Sequence, residues 1–229
     1  MSTSTATRPA RTWQNRVRPF TLGELVADGI VHGVGLVMAV AAGTVLVVFA
    51  ALGTAPKELP AIILYVGTLI VVLSASLTYN LWPTSPIKNF LARIDQAAIF
   101  LFIAGTYTPF LALIGNTPSA DLLMALVWGA ALTGIALKLI VPQRFGRLAI
   151  LLYLGIGWSG VLVFHSLAVA LPPVALWLLL AGGLAYSAGI VFHLWERLKF
   201  HNVMWHAFVV IGASLHLFAT LDCMVFSRL

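Results

Sequence analysis

Apolar residues run for helical length seven times along the chain, and polar or proline-rich punctuation separates the runs. A helix that crosses lipid needs about 20 mainly apolar residues. The stretches 30–51, 60–80, 95–115, 121–140, 148–169, 173–194 and 204–223 meet that requirement. Pro60 opens the second, and Pro83 and Pro86 divide the second from the third. Pro118 divides the third from the fourth, and residues 141–147 (VPQRFGR) divide the fourth from the fifth. Leu171, Pro172 and Pro173 break the fifth from the sixth, because consecutive prolines remove helix donors and clash with the preceding turn. The charged run Glu196, Arg197, Leu198, Lys199 precedes the seventh. The runs are continuous and of helical length, not ten-residue alternations, which argues against a β-barrel. The predicted fold class is all-α, a seven-transmembrane helix bundle.

Composition agrees. Of the 229 residues, 61% are hydrophobic and 9% charged. Soluble domains average about 45–50% apolar and 25% charged. Thirteen Lys and Arg with seven Asp and Glu cannot coat a globule of this size, which excludes a cytosolic enzyme and a disordered chain. The single cysteine, Cys223, excludes an intrachain disulfide framework and a cysteine metal cluster. The formal charge of +6 is scattered between apolar runs, so the expected partner is membrane lipid and not nucleic acid.

The basic residues also predict orientation. With a cytoplasmic N-terminus, Arg8, Arg11, Arg16, Arg18, Lys88, Arg93, Lys138, Arg144, Arg147, Arg197 and Lys199 all fall inside. Only Lys57 and Arg228 fall outside. Short loops rich in Lys and Arg stay on the cytoplasmic side. Residues 1–18 read as a disordered cytoplasmic tail and 19–229 as the transmembrane domain. Residues 18–29 suggest a short interfacial helix, with Phe20, Leu22, Leu25 and Val26 against lipid and Glu24 and Asp28 in water. The pairs Gly29/Gly33 and Gly155/Gly157 offer smooth faces for close helix approach.

Polar groups inside a membrane are costly and mark function or specific pairing. The topology brings His32, Ser76, Asn80, Asp95, His193 and His206 to one depth at the cytoplasmic end. A carboxylate and two imidazoles there suit zinc, which takes nitrogen and oxygen donors in four-coordinate sites. The same groups suit a proton-sensitive hydrogen-bond network, or plain structural pairing between helices. His216, ten residues beyond His206, lies about 15 Å deeper and can line an inner cavity. Tyr107 and Tyr186 offer interior hydroxyls, with hydrogen bonding between helices as the stronger reading for both.

The stretch Arg93 to Phe110 (RIDQAAIFLFIAGTYTPF) resembles the signature of the hemolysin III family, related to the progestin and adipoQ receptors and the alkaline ceramidases. Glu24 with Asp28 to Gly35, Ser76 to Asn80, and Trp205 to His216 resemble other family segments. The resemblance implies a seven-span protein with a cytoplasmic N-terminus, in the inner membrane of a bacterium. It also implies a zinc site of one span 2 histidine and two span 7 histidines, with a serine and an aspartate close by. Here the serine is Ser76 and the aspartate Asp95, but two of the three histidine positions hold Asn80 and Asn202. His206 keeps the third. An amide oxygen is a weaker zinc donor than imidazole. His32, Asp95 and His206 with a water form an alternative donor set, and His32, Ser76, Asn80, Asp95, Asn202 and His206 form the expected pocket. The first functional reading is a membrane sensor or homeostasis protein built on that pocket. The alternative is a zinc-dependent lipid amide hydrolase, in which Asp95 and Ser76 are catalytic.

Overall fold

The computed structural model describes residues 19–115, 117–141 and 146–229. The tail predicted for residues 1–18 lies outside these. Among the described residues, seven helical segments are long and apolar enough to cross a membrane. They comprise α1 (Leu22–Phe49), α2 (Leu59–Leu81), α3 (Pro86–Ile114), α4 (Pro118–Ile140), the paired α5 (Gly146–Trp158) and α6 (Phe164–Ala170), α7 (Pro173–Leu194) and α8 (His201–Met224).

Proline and capping chemistry set several starts. Pro86, Pro118 and Pro173 each begin a helix, where the missing N–H is not needed. Thr21 and Glu24 form a reciprocal capping box on α1: the Glu24 N–H donates to Thr21 Oγ1 at 3.3 Å, and the Thr21 N–H donates to Glu24 Oε2 at 2.9 Å. α1 therefore starts eight residues before the apolar run, and the predicted interfacial helix is its first two turns. Leu22, Val26, Ile30, Val34 and Val37 are exposed along one face, as a lipid-facing stripe requires. Glu24 and Asp28 were expected in water, yet each is only 2% exposed on the opposite face. Their carboxylates find donors on α8 and its approach, which offsets their desolvation. Beyond Phe49, α1 runs into a π-helical turn, Ala50–Thr54, stopped at Gly53, whose φ of 144° suits a residue without Cβ.

Each long helix from α1 to α4 packs on its successor, and α8 packs on both α7 and α1, closing the ring. The fifth span contacts α3, α4 and α7. One apolar cluster, including Leu46, Ile62, Leu69, Leu73, Phe102 and Leu217, fills the bundle between α1, α2, α3, α7 and α8. A second, including Phe100, Leu123, Val127 and Ile156, joins α3, α4 and α5.

The fifth span is not continuous. A 3-10 segment, Ser159–Val163, interrupts it. The break frees backbone groups that lipid cannot satisfy. Tyr107 from α3 satisfies them: its hydroxyl lies 2.7 Å from the Gly157 carbonyl and 3.0 Å from that of Ile156, and accepts from the Gly160 N–H at 2.8 Å. Tyr107 thus makes the interhelical bonds its position suggested.

The glycines that matter differ from those singled out by sequence. A Cβ at Gly33, Gly155 or Gly157 would meet open space, and one at Gly29 would make ordinary contact. Close approaches occur at Gly105, against Thr68, at Gly134, against Phe100, and on the α7–α8 face. Lys138 is 3% exposed in the last turn of α4, where its ammonium donates to Gln96 Oε1 at 2.7 Å.

Candidate metal centre

Asp28, His32 and His206 come together at the end of the bundle where α1 meets α8. All three are buried, and a ligand atom from each lies within 4.8 Å of the others. Asp28 and His32 are four residues apart on α1, so one helix face carries both. His206 Nδ1 approaches Asp28 Oδ1 to 2.6 Å. An ionised carboxylate only accepts, so the imidazole donates there. His32 Nδ1 lies 2.9 Å from the Asp28 carbonyl oxygen, which also only accepts. Both imidazoles therefore hold their proton on Nδ1 and present a bare Nε2. Such a hydrogen bond to the far nitrogen commonly fixes the tautomer and orientation of a metal-ligating histidine. The two rings stand edge to face, 4.4 Å between centroids.

Around this trio lies a shell of amide and hydroxyl groups. Asn202 Nδ2 donates to Asn80 Oδ1 at 3.1 Å, so the two asparagines at the expected histidine positions bind each other across α2 and α8. Asn80 Nδ2 in turn donates to the Ser76 carbonyl at 2.9 Å, and Ser76 Oγ stands 3.4 Å from His206 Nε2. Glu24 holds the start of α8 in place: its Oε1 accepts from the Phe200 N–H at 2.8 Å, where Phe200 adopts a left-handed φ of 63°.

Whether the group fits a metal turns on one atom. Asp28 Oδ2 is buried and has no hydrogen-bond donor. A buried carboxylate oxygen without a partner is destabilising, and a cation supplies what the protein does not. Two imidazole nitrogens and a carboxylate oxygen are also a donor set that zinc accepts. Closing on an ion with bonds of about 2 Å requires the ligand atoms to draw together by roughly an ångström. The cluster thus has the donors to coordinate a metal such as zinc.

His32 and His206 of the trio line a cavity of about 150 Å³, with Asp28 buried behind them. His32, Ser76, Asp95 and His206 line one end, and Tyr186 and His216 also line it. Between them the wall is mostly apolar, including Val72, Leu73, Ile99, Phe102 and Val209. Of the expected pocket, His32, Ser76, Asp95 and His206 thus share this cavity, and Asn80 and Asn202 join through hydrogen bonds. His193 stays apart, exposed and set against Trp205 with 5.0 Å between ring centroids. The carboxylate of the compact donor group is Asp28, which sequence reasoning had left in water. The usable signal was its spacing of four from His32, on the face opposite the apolar stripe.

These features define a multi-pass membrane protein with a buried carboxylate–imidazole centre at one end of an apolar cavity. The profile of the family described as haemolysin-III related matches residues 21–217, and the chain belongs to that family. It is 35% identical over 203 residues to the hemolysin-3 homolog of Bacillus subtilis (strain 168), covering 88% of this chain and 95% of that one. It is 34% identical over 199 residues to hemolysin-3 of Bacillus cereus, covering 86% of this chain and 90% of that one. It is also 30% identical over 126 residues to the human monocyte to macrophage differentiation factor, covering 55% of this chain and 52% of that one. The last similarity suggests the broader link to the progestin and adipoQ receptors, and carries no direct link to ceramidases. No solved structure matches the chain. The bacterial relatives and the helical bundle together support a multi-pass protein of the inner membrane.

Proposed function

We propose that the protein is a metal-dependent hydrolase acting on an amide bond of a membrane lipid. The observation that carries this reading is the Asp28, His32 and His206 donor set, two of whose members, His32 and His206, line an apolar cavity with Ser76 and Asp95 on its wall. Asp28, His32 and His206 would hold the ion. When bound, zinc supplies Lewis acidity, polarising a carbonyl oxygen and lowering the pKa of water at its open position. Asp95 takes a proton from the attacking water at its carboxylate oxygen as general base, and returns it to the amine nitrogen that leaves when the C–N bond breaks. Ser76 Oγ donates to the acyl oxygen as negative charge gathers on it. The apolar wall excludes water and holds the acyl chain in line. Asn80, tied to Asn202, orients Ser76.

The test is hydrolysis of a mixed set of N-acyl lipid amides by purified protein in lipid–detergent micelles. Asp95→Asn is expected to lower kcat by at least about 100-fold, the usual contribution of a positioned general base. Turnover unchanged in that variant, or none in the wild type across the set, would sink the hydrolase reading. A sensor built on the same hydrogen-bonded network is the second reading, supported by the Asn80–Asn202 pair. The distribution of Lys and Arg supports an orientation with the N-terminus inside and the C-terminus outside, in which the centre faces the cytosolic leaflet. Membrane-impermeant labels that reach both chain ends from the same side would contradict that orientation.

A further inference from the structure

The end of the cavity away from the metal centre is not purely apolar. His216 lies ten residues beyond His206 on α8, about 15 Å along the helix, and Tyr186 faces it from α7. Both line the cavity, with ring centroids 5.4 Å apart in an edge-to-face arrangement. His216 Nε2 sits 3.1 Å from the Leu179 carbonyl, which only accepts, so that nitrogen carries the proton. Its Nδ1 is then a bare acceptor. Nδ1 of His216 and the hydroxyl of Tyr186 are both buried, and neither has a hydrogen-bond partner. Each such group left unpaired costs about 1–3 kcal/mol, and native interiors rarely retain them.

The space for these rings is built into the sequence. A Cβ at Gly212 would stand 2.9 Å from Tyr186 Cε1, and one at Gly182 would overlap His216 Cδ2. Two glycines on facing helices therefore seat two polar rings against the cavity, where leucine and alanine would make an unbroken hydrocarbon wall. A saturated acyl tail satisfies neither polar atom. One hydroxyl satisfies both, because it donates to His216 Nδ1 while accepting from the Tyr186 hydroxyl.

We propose that Tyr186 and His216 form a subsite for a hydroxyl group carried part-way along the hydrophobic chain of the ligand. The lipid this protein prefers bears an acyl or alkyl chain hydroxylated well away from its polar head. The inference deepens the lipid reading by naming the chain, and needs neither the metal nor turnover.

Binding is measured by the fluorescence of Trp158 and Trp205, which line the cavity. The probes are stearate, a mid-chain hydroxystearate and alpha-hydroxystearate, added to the full chain in detergent. The mid-chain isomer is expected to bind about ten-fold more tightly than stearate, the effect of one or two net hydrogen bonds. Alpha-hydroxystearate is expected to bind like stearate. Tyr186→Phe is expected to bring the mid-chain isomer to within two-fold of stearate, while stearate binding holds and reports an intact cavity. Equal binding of stearate and the mid-chain isomer by the wild type would overturn the proposal and leave a buried water as the partner of both rings. A preference that survives both Tyr186→Phe and His216→Phe would overturn it, as would failure of all three probes to bind. Loss of hydrolysis in Asp95→Asn with this preference intact would separate the subsite from the chemistry.

Discussion

His206→Ala is expected to lose bound zinc and to lower stability by about 3–5 kcal/mol. The figure follows from what remains behind. Asp28 is 2% exposed, and its shortest hydrogen bond, 2.6 Å, is the one from His206. Removing the imidazole strands a buried, charged acceptor without its strongest donor, which is far worse than removing both partners. The double variant Asp28→Leu with His206→Ala is therefore expected to be more stable than His206→Ala alone, while still lacking metal. Thermal unfolding in one detergent reads the stability, and elemental analysis reads the metal. A single variant as stable as wild type would show that the carboxylate and imidazole are not coupled.

Tyr107→Phe is expected to lower stability by about 2–4 kcal/mol through loss of a single oxygen. That hydroxyl serves the Gly157 carbonyl and the Gly160 N–H, where the fifth span changes from α-helix to 3-10 helix, while the Ile156 carbonyl keeps its hydrogen bond from Ser159 Oγ at 2.7 Å. In water such groups would be hydrated after the substitution. In hydrocarbon they would not be, and each stranded group costs about 1–3 kcal/mol. Gly157 and Trp158 line the cavity, so the same substitution is expected to weaken binding of a lipid probe there. The control is Tyr153→Phe, whose hydroxyl serves the single Gln96 carbonyl at 2.8 Å and is expected to cost about half as much. Equal unfolding temperatures for wild type and Tyr107→Phe would show that the break is satisfied by other means.

The seven spans were legible because each is a long apolar run, and hydropathy needs no knowledge of neighbours. The ends of the helices were less so. α1 and α3 begin at Leu22 and Pro86, eight and nine residues ahead of their apolar stretches at 30 and 95. Hydropathy falls at Glu24, Asp28, Lys88 and Arg93, but backbone hydrogen bonding continues through them. Cap and proline signals at Thr21 and Pro86 mark the starts better than polarity does. His32, Ser76 and His206 were found because polar groups at matched depth in different helices stand out. Asp28 was missed because a carboxylate near a membrane boundary reads as hydrated. Its partner, His206, is 178 residues away along the chain. The contact glycines escaped for a similar reason. Small size is visible in sequence, but the ring facing Gly182 or Gly212 is set by how α7 meets α8.

The two asparagines give the centre its particular character. Where the family resemblance implies two more imidazoles, Asn80 and Asn202 bind each other. The first helix supplies Asp28 and His32 instead. An ion at this donor set would be held between the first and last helices, with the second helix in a supporting role. Elemental analysis of the detergent-purified chain, prepared without chelators, separates these arrangements. About one zinc per chain is expected in the wild type and in Asn80→Ala, and almost none in Asp28→Asn. Zinc kept by Asp28→Asn but lost from Asn80→Ala would return the ion to the second helix, and a wild type without metal would remove the centre altogether.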